Sequence, residues 1–187
     1  MEYENQNFVS LSLVEEQILV GEYDNCTFKS CNFSNGDLSH FVFTECEFVN
    51  CDFSLSKLYD TGFKNVVFRG CKMLGLHIED CNKFLLEMHF EDCKLNLSSF
   101  YKISMKKTKF KRCSLNEVDF TEADFSESLF DDCDLLGAIF EQSILIKSDF
   151  RTAYNYALNP EMNQIKKAKF SKEGLAGLLF QYDLVVT

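Results

Sequence analysis

Nine cysteines and three histidines offer the most reactive side chains in this 187-residue chain. Thiolates can act as nucleophiles, ligate zinc or pair as disulfides, and each use leaves a spacing signature. No C-x-x-C pair with which to build a zinc site is present. His40, His77 and His89 are not accompanied by an acid–nucleophile constellation, and there is no glycine-rich phosphate loop. The chain therefore reads as a non-enzyme, with no catalytic residues, no cofactor and no metal site. The remaining chemistry is charge. With 29 acidic and 19 basic residues the net charge is −10. Such a chain is unsuited to holding nucleic acid by its phosphates and suited to a basic partner. No run of about 18 apolar residues indicates a membrane span. The opening Met1-Glu2-Tyr3-Glu4 lacks the basic and apolar regions of a signal peptide. Nine thiols fit best in the reducing cytoplasm.

The cysteines become intelligible once the elements that must carry them are considered. Every fifth residue is large and apolar: Phe28, Phe33, Leu38, Phe43, Phe48, Phe53, Leu58, Phe63, Phe68, Met73, Ile78. The beat slips by two residues and resumes at Leu85, Phe90, Leu95, Phe100, Met105, Phe110, Leu115, Phe120, Phe125, Phe130, Leu135, Phe140, Leu145 and Phe150. A period of five suits neither the 3.6-residue helix nor the two-residue strand. The chain must turn after each short extended segment, in a constant sense, which makes a solenoid. Eight of the nine cysteines lie two residues before a beat position, and Cys81 lies two before the place where the next would fall without the slip, a site they share with Ser56, Thr61, Val66, Ser98, Ala123, Ser148 and others. That site requires a small, mostly apolar side chain, and free cysteine is one.

Units such as Cys31-Asn32-Phe33-Ser34-Asn35, Cys51-Asp52-Phe53-Ser54-Leu55 and Ala123-Asp124-Phe125-Ser126-Glu127 resemble the pentapeptide-repeat family. The resemblance covers roughly residues 26 to 152. It implies an all-β, right-handed quadrilateral β-helix with four pentapeptides per coil, some six to seven coils, and the central and small residues pointing inward. The sequence supports twenty residues per coil: one face reads Phe28, Phe48, Phe68, Phe90, Phe110, Phe130, Phe150 without exception. Cys31, Cys51 and Cys71 form another ladder, as do Cys93, Cys113 and Cys133. The slip near 79–84 would place Lys83 at a small inward site, so a bulge is expected there.

The expected organisation is an N-terminal cap over 1–25, the β-helix over 26–152, and a C-terminal cap and dimerisation segment over 153–187. In that last segment Ser171 is positioned to N-cap a short helix whose stripe is Leu175, Leu178, Leu179 and Tyr182, followed by Leu184-Val185-Val186. Asn159-Pro160-Glu161-Met162-Asn163, Ala168-Lys169-Phe170-Ser171 and this tail resemble the C-termini of the topoisomerase-protecting members, the Qnr-type quinolone-resistance proteins and the microcin B17 immunity protein. The resemblance implies a homodimer joined through Leu175, Leu178, Leu179, Tyr182 and Leu184.

Charge is uneven along the chain. Residues 81–112 hold eight bases and three acids, whereas 113–150 hold one base and ten acids. On the twenty-residue grid the basic cluster falls into columns of alternating sign: Glu91, Lys111, Asp131, Arg151; Glu87, Lys107, Glu127, Lys147; and Asp92, Arg112, Asp132. Cross-coil ion pairs are expected there rather than a nucleic-acid patch. Glu117, Asp119, Asp124, Asp134 and Glu141 have no base one coil away and form the candidate partner-binding strip. Resemblance then implies a DNA mimic that engages DNA gyrase, with topoisomerase IV as a further target, and protects it from a poison. The alternative is a repeat scaffold with an unrelated protein partner.

Overall fold

The computed structural model describes residues 1–15, 17–182 and 184. The chain forms a parallel β-solenoid of four-sided coils. Its strands are only three or four residues long and pair with the strand one coil away. Two parallel ladders run along it. One joins Glu2–Glu4 (β1), Glu22–Asp24 (β3), Val42–Thr44 (β5) and Gly62–Lys64 (β7). The other joins Asn7–Val9 (β2), Thr27–Lys29 (β4), Glu47–Val49 (β6), Val66–Arg69 (β8), Met88–Glu91 (β9), Lys109–Lys111 (β10) and Leu129–Asp131 (β11). This longer ladder makes the first face of the solenoid. The second and third faces are held by single bridges such as Ser114↔Asp134 and Asp119↔Ile139. The fourth face carries β1, β3, β5 and β7.

The five-residue beat works because one corner residue per repeat turns left-handed. Asn35, Asp60, Glu117 and Lys147 have φ of 55°, 53°, 57° and 60°. A branched or bulky residue resists that conformation, while Asn, Asp and glycine accept it most readily. Between corners the central side chains point inward. On the first face the rings stack coil upon coil, Phe110 lying 5.0 Å from Phe90 and 5.1 Å from Phe130. The stack continues past the expected limits of the β-helix, to Phe8 at one end and Phe170 at the other. Ladder pairing thus begins within the segment expected to be a cap, at Glu2, and persists to Lys169.

Where it holds a short donor, the small inward site often makes a hydrogen bond that the sequence pattern did not show. Its side chain donates to the carbonyl of a central residue one coil below: Ser148 Oγ to Phe125 O (2.7 Å), Thr61 Oγ1 to Leu38 O (2.8 Å), Cys71 Sγ to Phe48 O (3.3 Å). Serine, threonine and cysteine interchange there because each is small and carries a short donor. All nine cysteines are buried and free. Burial pushes the Cys46 thiol up to about 12, so it stays protonated. Because Lys94 pairs with Lys72, Cys93 sits directly on Cys71, and the two expected cysteine ladders are one continuous column.

The two-residue slip lies between Asn82, whose N–H donates to Thr61 O (3.0 Å), and Met88, which faces Val66 one coil back. A 3-10 turn at Ile78–Asp80 precedes it. Lys83 is exposed, as the break in the pattern requires. Leu85, expected to point inward, is instead exposed at a corner with φ 57°, and Leu86 packs on the core in its place. Phe84 also projects, under the Lys64 ammonium at 5.8 Å. The C-terminal segment forms 3-10 turns, Glu173–Leu178 and Phe180–Tyr182, rather than an α-helix. Ser171 Oγ accepts the Gly174 N–H (3.0 Å). Gly174 and Gly177 press on Tyr156, where any Cβ would collide. That close approach favours the tighter winding.

Candidate functional site

The outer surface is organised by the same coil-to-coil neighbours as the core. Several predicted charge columns form real pairs: Lys111 Nζ to Glu91 (3.1 Å), Arg112 to Asp92 (2.7 Å) and Lys147 Nζ to Glu127 (2.9 Å). Arg69 joins this network by bonding Glu47 (2.7 Å) and Glu91. Arg112 and Lys111 hold the Glu91 carboxyl below its ordinary range. Each column holds only in part: Lys107 pairs with no acid among the described residues, Arg112 meets Asp92 but not Asp132, Arg151 turns to its neighbour Asp149 (2.7 Å), and Asp131 instead accepts from Thr152 Oγ1 (2.9 Å). Glu87 pairs with His89 Nε2 (3.4 Å), while His89 Nδ1 accepts the Lys109 N–H (3.2 Å). The other histidines are exposed beside acids, His40 near Asp60 and His77 near Glu79. Among the described residues no cluster of His, Cys, Asp or Glu could hold a metal ion.

The five acids chosen from the sequence do not form a single strip. Asp134 lies on the second face, accepting from Leu136 N–H (3.2 Å) and Asn155 Nδ2 (2.8 Å). Asp119 lies on the third face and accepts the Thr121 N–H (2.8 Å). Glu117 occupies the corner between them, and its side chain packs over Gly137 one coil on. Glu141 stands at the far corner of the third face, exposed. These four have no cation within ion-pair distance among the described residues. Asp124 is different on two counts. It sits on the fourth face, and Lys106 Nζ pairs with it at 3.2 Å. Burial opposes its ionisation, but hydrogen bonds from Ser126 and the charge of Lys106 prevail and keep its carboxyl below the ordinary value. Its base is eighteen residues away rather than twenty, because a long side chain reaches diagonally to the neighbouring column.

Sequence reasoning missed the apolar part of this surface. Ile139 sits above Asp119, and Tyr154 sits above Asp134. With Leu136 these side chains are 45%, 47% and 57% exposed. The signal was available: Ile139 follows Ser99 and Asp119 in its outward column, and Tyr154 follows Ser114 and Asp134. The C-terminal residues are likewise on the outside. Leu175, Leu179, Tyr182 and Leu184 are exposed, while Leu178 packs partly on the core. Leu175, Leu178, Leu179 and Tyr182 line one apolar hollow with Pro160 and Glu161. Val185 and Val186 lie outside the described residues.

A stack of near-identical coils with a closed apolar core, charge columns outside and an acidic–apolar surface at one end defines a repeat solenoid of the kind that acts through its outer faces. More particularly, the chain belongs to the pentapeptide-repeat family: the model of the pentapeptide repeat region matches residues 41–120 and 85–180. No curated protein sequence matches it. Its fold is similar to that of a trypsin-treated variant of QnrB1, a plasmid-mediated fluoroquinolone resistance protein, at 17% identity over 100% of both chains, with a TM-score of 0.51. It is equally similar to HetL, a pentapeptide repeat protein involved in heterocyst differentiation regulation from the cyanobacterium Nostoc, at 13% identity over 91% of this chain and 84% of that one, with a TM-score of 0.52. No helix of the described residues is long and apolar enough to cross a membrane.

Proposed function

We propose that this protein is a non-catalytic binding rod that engages DNA gyrase, and topoisomerase IV with it, in place of duplex DNA, and so protects the enzyme from a poison. The observation that carries the reading is the uncompensated acid on the second and third faces. Elsewhere along the body many acids meet a base one coil away, whereas Glu117, Asp119, Asp134 and Glu141 meet none among the described residues. Fixed carboxylates on a rigid ladder suit the positive groove of an enzyme that handles DNA. The exposed Leu136, Ile139 and Tyr154 between them add the apolar contacts that a protein partner uses and a phosphate backbone does not. Fold likeness to QnrB1 is consistent with this, and the C-terminal resemblance adds a homodimer through Leu175, Leu178, Leu179, Tyr182 and Leu184. Such a dimer would bring the acidic surfaces of two copies to either side of its centre.

The equal likeness to HetL supports a second reading, a scaffold with an unrelated protein partner. One experiment separates them. Gyrase supercoiling is measured with a quinolone and increasing amounts of this protein, alongside sedimentation of the protein alone. The expected result is a dimer that restores supercoiling. A quadruple variant, Glu117→Lys, Asp119→Lys, Asp134→Lys and Glu141→Lys, should weaken gyrase binding by about tenfold or more. Asp124→Asn should change it little, because that carboxylate is already engaged with Lys106. The absence of both rescue and inhibition at micromolar protein would discard the gyrase reading in favour of the scaffold, and a monomer would discard the dimer.

A further inference from the structure

On the third face the ladder lacks the bridge between Lys57 and His77. Its neighbours are intact: Asp37 bridges Lys57 below, and His77 bridges Ser99 above. In the lower bridge Lys57 N–H donates to Gly36 O and Leu38 N–H to Lys57 O, both at 2.9 Å. The same pattern one coil on requires His77 N–H on Ser56 O and Leu58 N–H on His77 O. Neither bond forms, and neither N–H meets another acceptor among the described residues. The two coils stay tied on either side, by Leu55 N–H to Leu74 O and Asp60 N–H to Asp80 O, both at 2.9 Å. Between these ties the 3-10 turn at Ile78–Asp80 replaces the extended path that the bridge needs. A hollow of about 320 Å³ lies there, lined by both coils.

The groups around this hollow specify what would fill it. The N–H groups of Leu58 and His77 lack an acceptor, and unpaired backbone donors are costly. Lys57 also lines the hollow and has no ion-pair partner among the described residues. Ser56 O and the Asp80 carboxylate, on the same lining, lack a donor. Leu55 and Tyr59 form apolar walls at its two ends and are 62% and 66% exposed. Leu55 stands at a left-handed corner with φ 58°, a conformation that leucine resists. Gly75, one coil above, leaves the space open: a Cβ there would lie 2.9 Å from Leu55 Cδ2. Tyr59 is set edge-on against His40, ring centres 5.6 Å apart.

We propose that this hollow binds an apolar α-amino carboxylate. The carboxylate oxygens accept the Leu58 and His77 N–H groups with Lys57 as counter-ion, the α-nitrogen donates to Ser56 O and Asp80, and the side chain lies between Leu55 and Tyr59. Converging backbone N–H groups make anion-binding concavities, and a charged acceptor strengthens each bond. The volume is that of a small-ligand site. A free amino acid and the last residue of a polypeptide both carry this chemistry. The free zwitterion has no net charge, so a chain of net charge −10 does not repel it. The site is separate from the acids Glu117, Asp119, Asp134 and Glu141 and stands independently of the gyrase reading.

The probe is phenylalanine, titrated by NMR against the full isotope-labelled chain. Saturable shifts of the Leu58 and His77 amide signals at millimolar ligand are expected. Phenylalanine amide lacks the carboxylate and hydrocinnamate lacks the nitrogen, so each should bind at least about tenfold more weakly. A peptide ending in phenylalanine, beside the same peptide amidated, separates the two sources. Tighter binding than phenylalanine, lost on amidation, assigns a chain end; weaker binding assigns the free amino acid. Lys57→Met should weaken phenylalanine by about tenfold, and since Lys57 is exposed and unpaired the melting temperature should stay near that of the parent. Leu55→Asn suits the left-handed corner, so it should weaken binding by about fivefold without lowering the melting temperature. Lys94→Met, on the second face, should change nothing. The proposal is overturned by no shift at tens of millimolar phenylalanine, by equal binding of the amide, or by a Lys57→Met protein that binds as well as the parent.

Discussion

The inside and the outside of this solenoid are built on one neighbour relation, residue upon residue one coil apart, yet they want opposite things from it. Inside, like belongs on like. Phe90, Phe110 and Phe130 repeat the same ring because identical apolar shapes stack without gaps. Outside, like repels like, and the stable columns alternate: Glu91 with Lys111, Glu127 with Lys147. Repetition is therefore a sign of completion in the core and of incompletion on the surface. The places where outward acids meet no base, Asp119 and Asp134 near one end and Glu2 and Glu22 at the other, are where this molecule has charge left over for something else.

The sharpest way to break the inner half of the comparison is Phe110→Ala. The ring is fully buried, with stacked neighbours on both sides and Phe100, Phe120 and Phe125 around it. Rigid coils above and below cannot collapse into the gap, so the expected cost is about 3–5 kcal/mol in urea unfolding. A loss below about 1 kcal/mol would mean that the ladder relaxes like a liquid and that its repetition has another cause. A smaller inner effect is expected from Ser148→Ala. It keeps the shape of the small site but removes the bond to Phe125 O (2.7 Å). That carbonyl still accepts the Ser128 N–H (3.1 Å), so the loss should stay near ~1 kcal/mol by the same measurement.

The ease with which the core could be read follows from this repetition. A beat that places Phe at 28, 48 and 68 leaves one geometry, because few chain paths return every twentieth residue to the same wall. The cysteines followed from it as packing. The hydrogen bond made by the small site was hidden, since Ala123 and Val118 occupy equivalent positions without a donor. The slip was visible at Lys83, but its path was not. A two-residue insertion lets either Leu85 or Leu86 turn inward, and only the corner geometry selects Leu86. The surface was legible only where a long side chain stays in its own column. Columns spaced by twenty gave Arg112 with Asp92, but missed Lys106 with Asp124 and Arg151 with Asp149, because long side chains reach across columns. The 3-10 winding near the C-terminus depends on Gly174 and Gly177 meeting Tyr156, a contact that the Leu175–Tyr182 stripe does not encode.

The outer half of the comparison is tested by two charge reversals of opposite expected sign. Arg112→Glu removes the bonds to Asp92 and Glu91 and sets an acid in an acidic column. Glu22→Lys does the reverse, placing a base against Glu2 where an acid now stands. Both sites are exposed, so both effects are small: the first should lower the melting temperature and the second raise it, each by roughly 2 °C. Each should shrink at about 1 M salt, where screening acts within some 3 Å. An alternative account holds that outward residues are merely solvated and that their signs carry no structural meaning. It predicts two shifts near zero, insensitive to salt. A third possibility is that any reversal disturbs the ladder, which predicts two losses. Of these three accounts only electrostatics gives opposite signs, and a stabilising Glu22→Lys would also show that the acids of the N-terminal tip are retained at a cost to the fold.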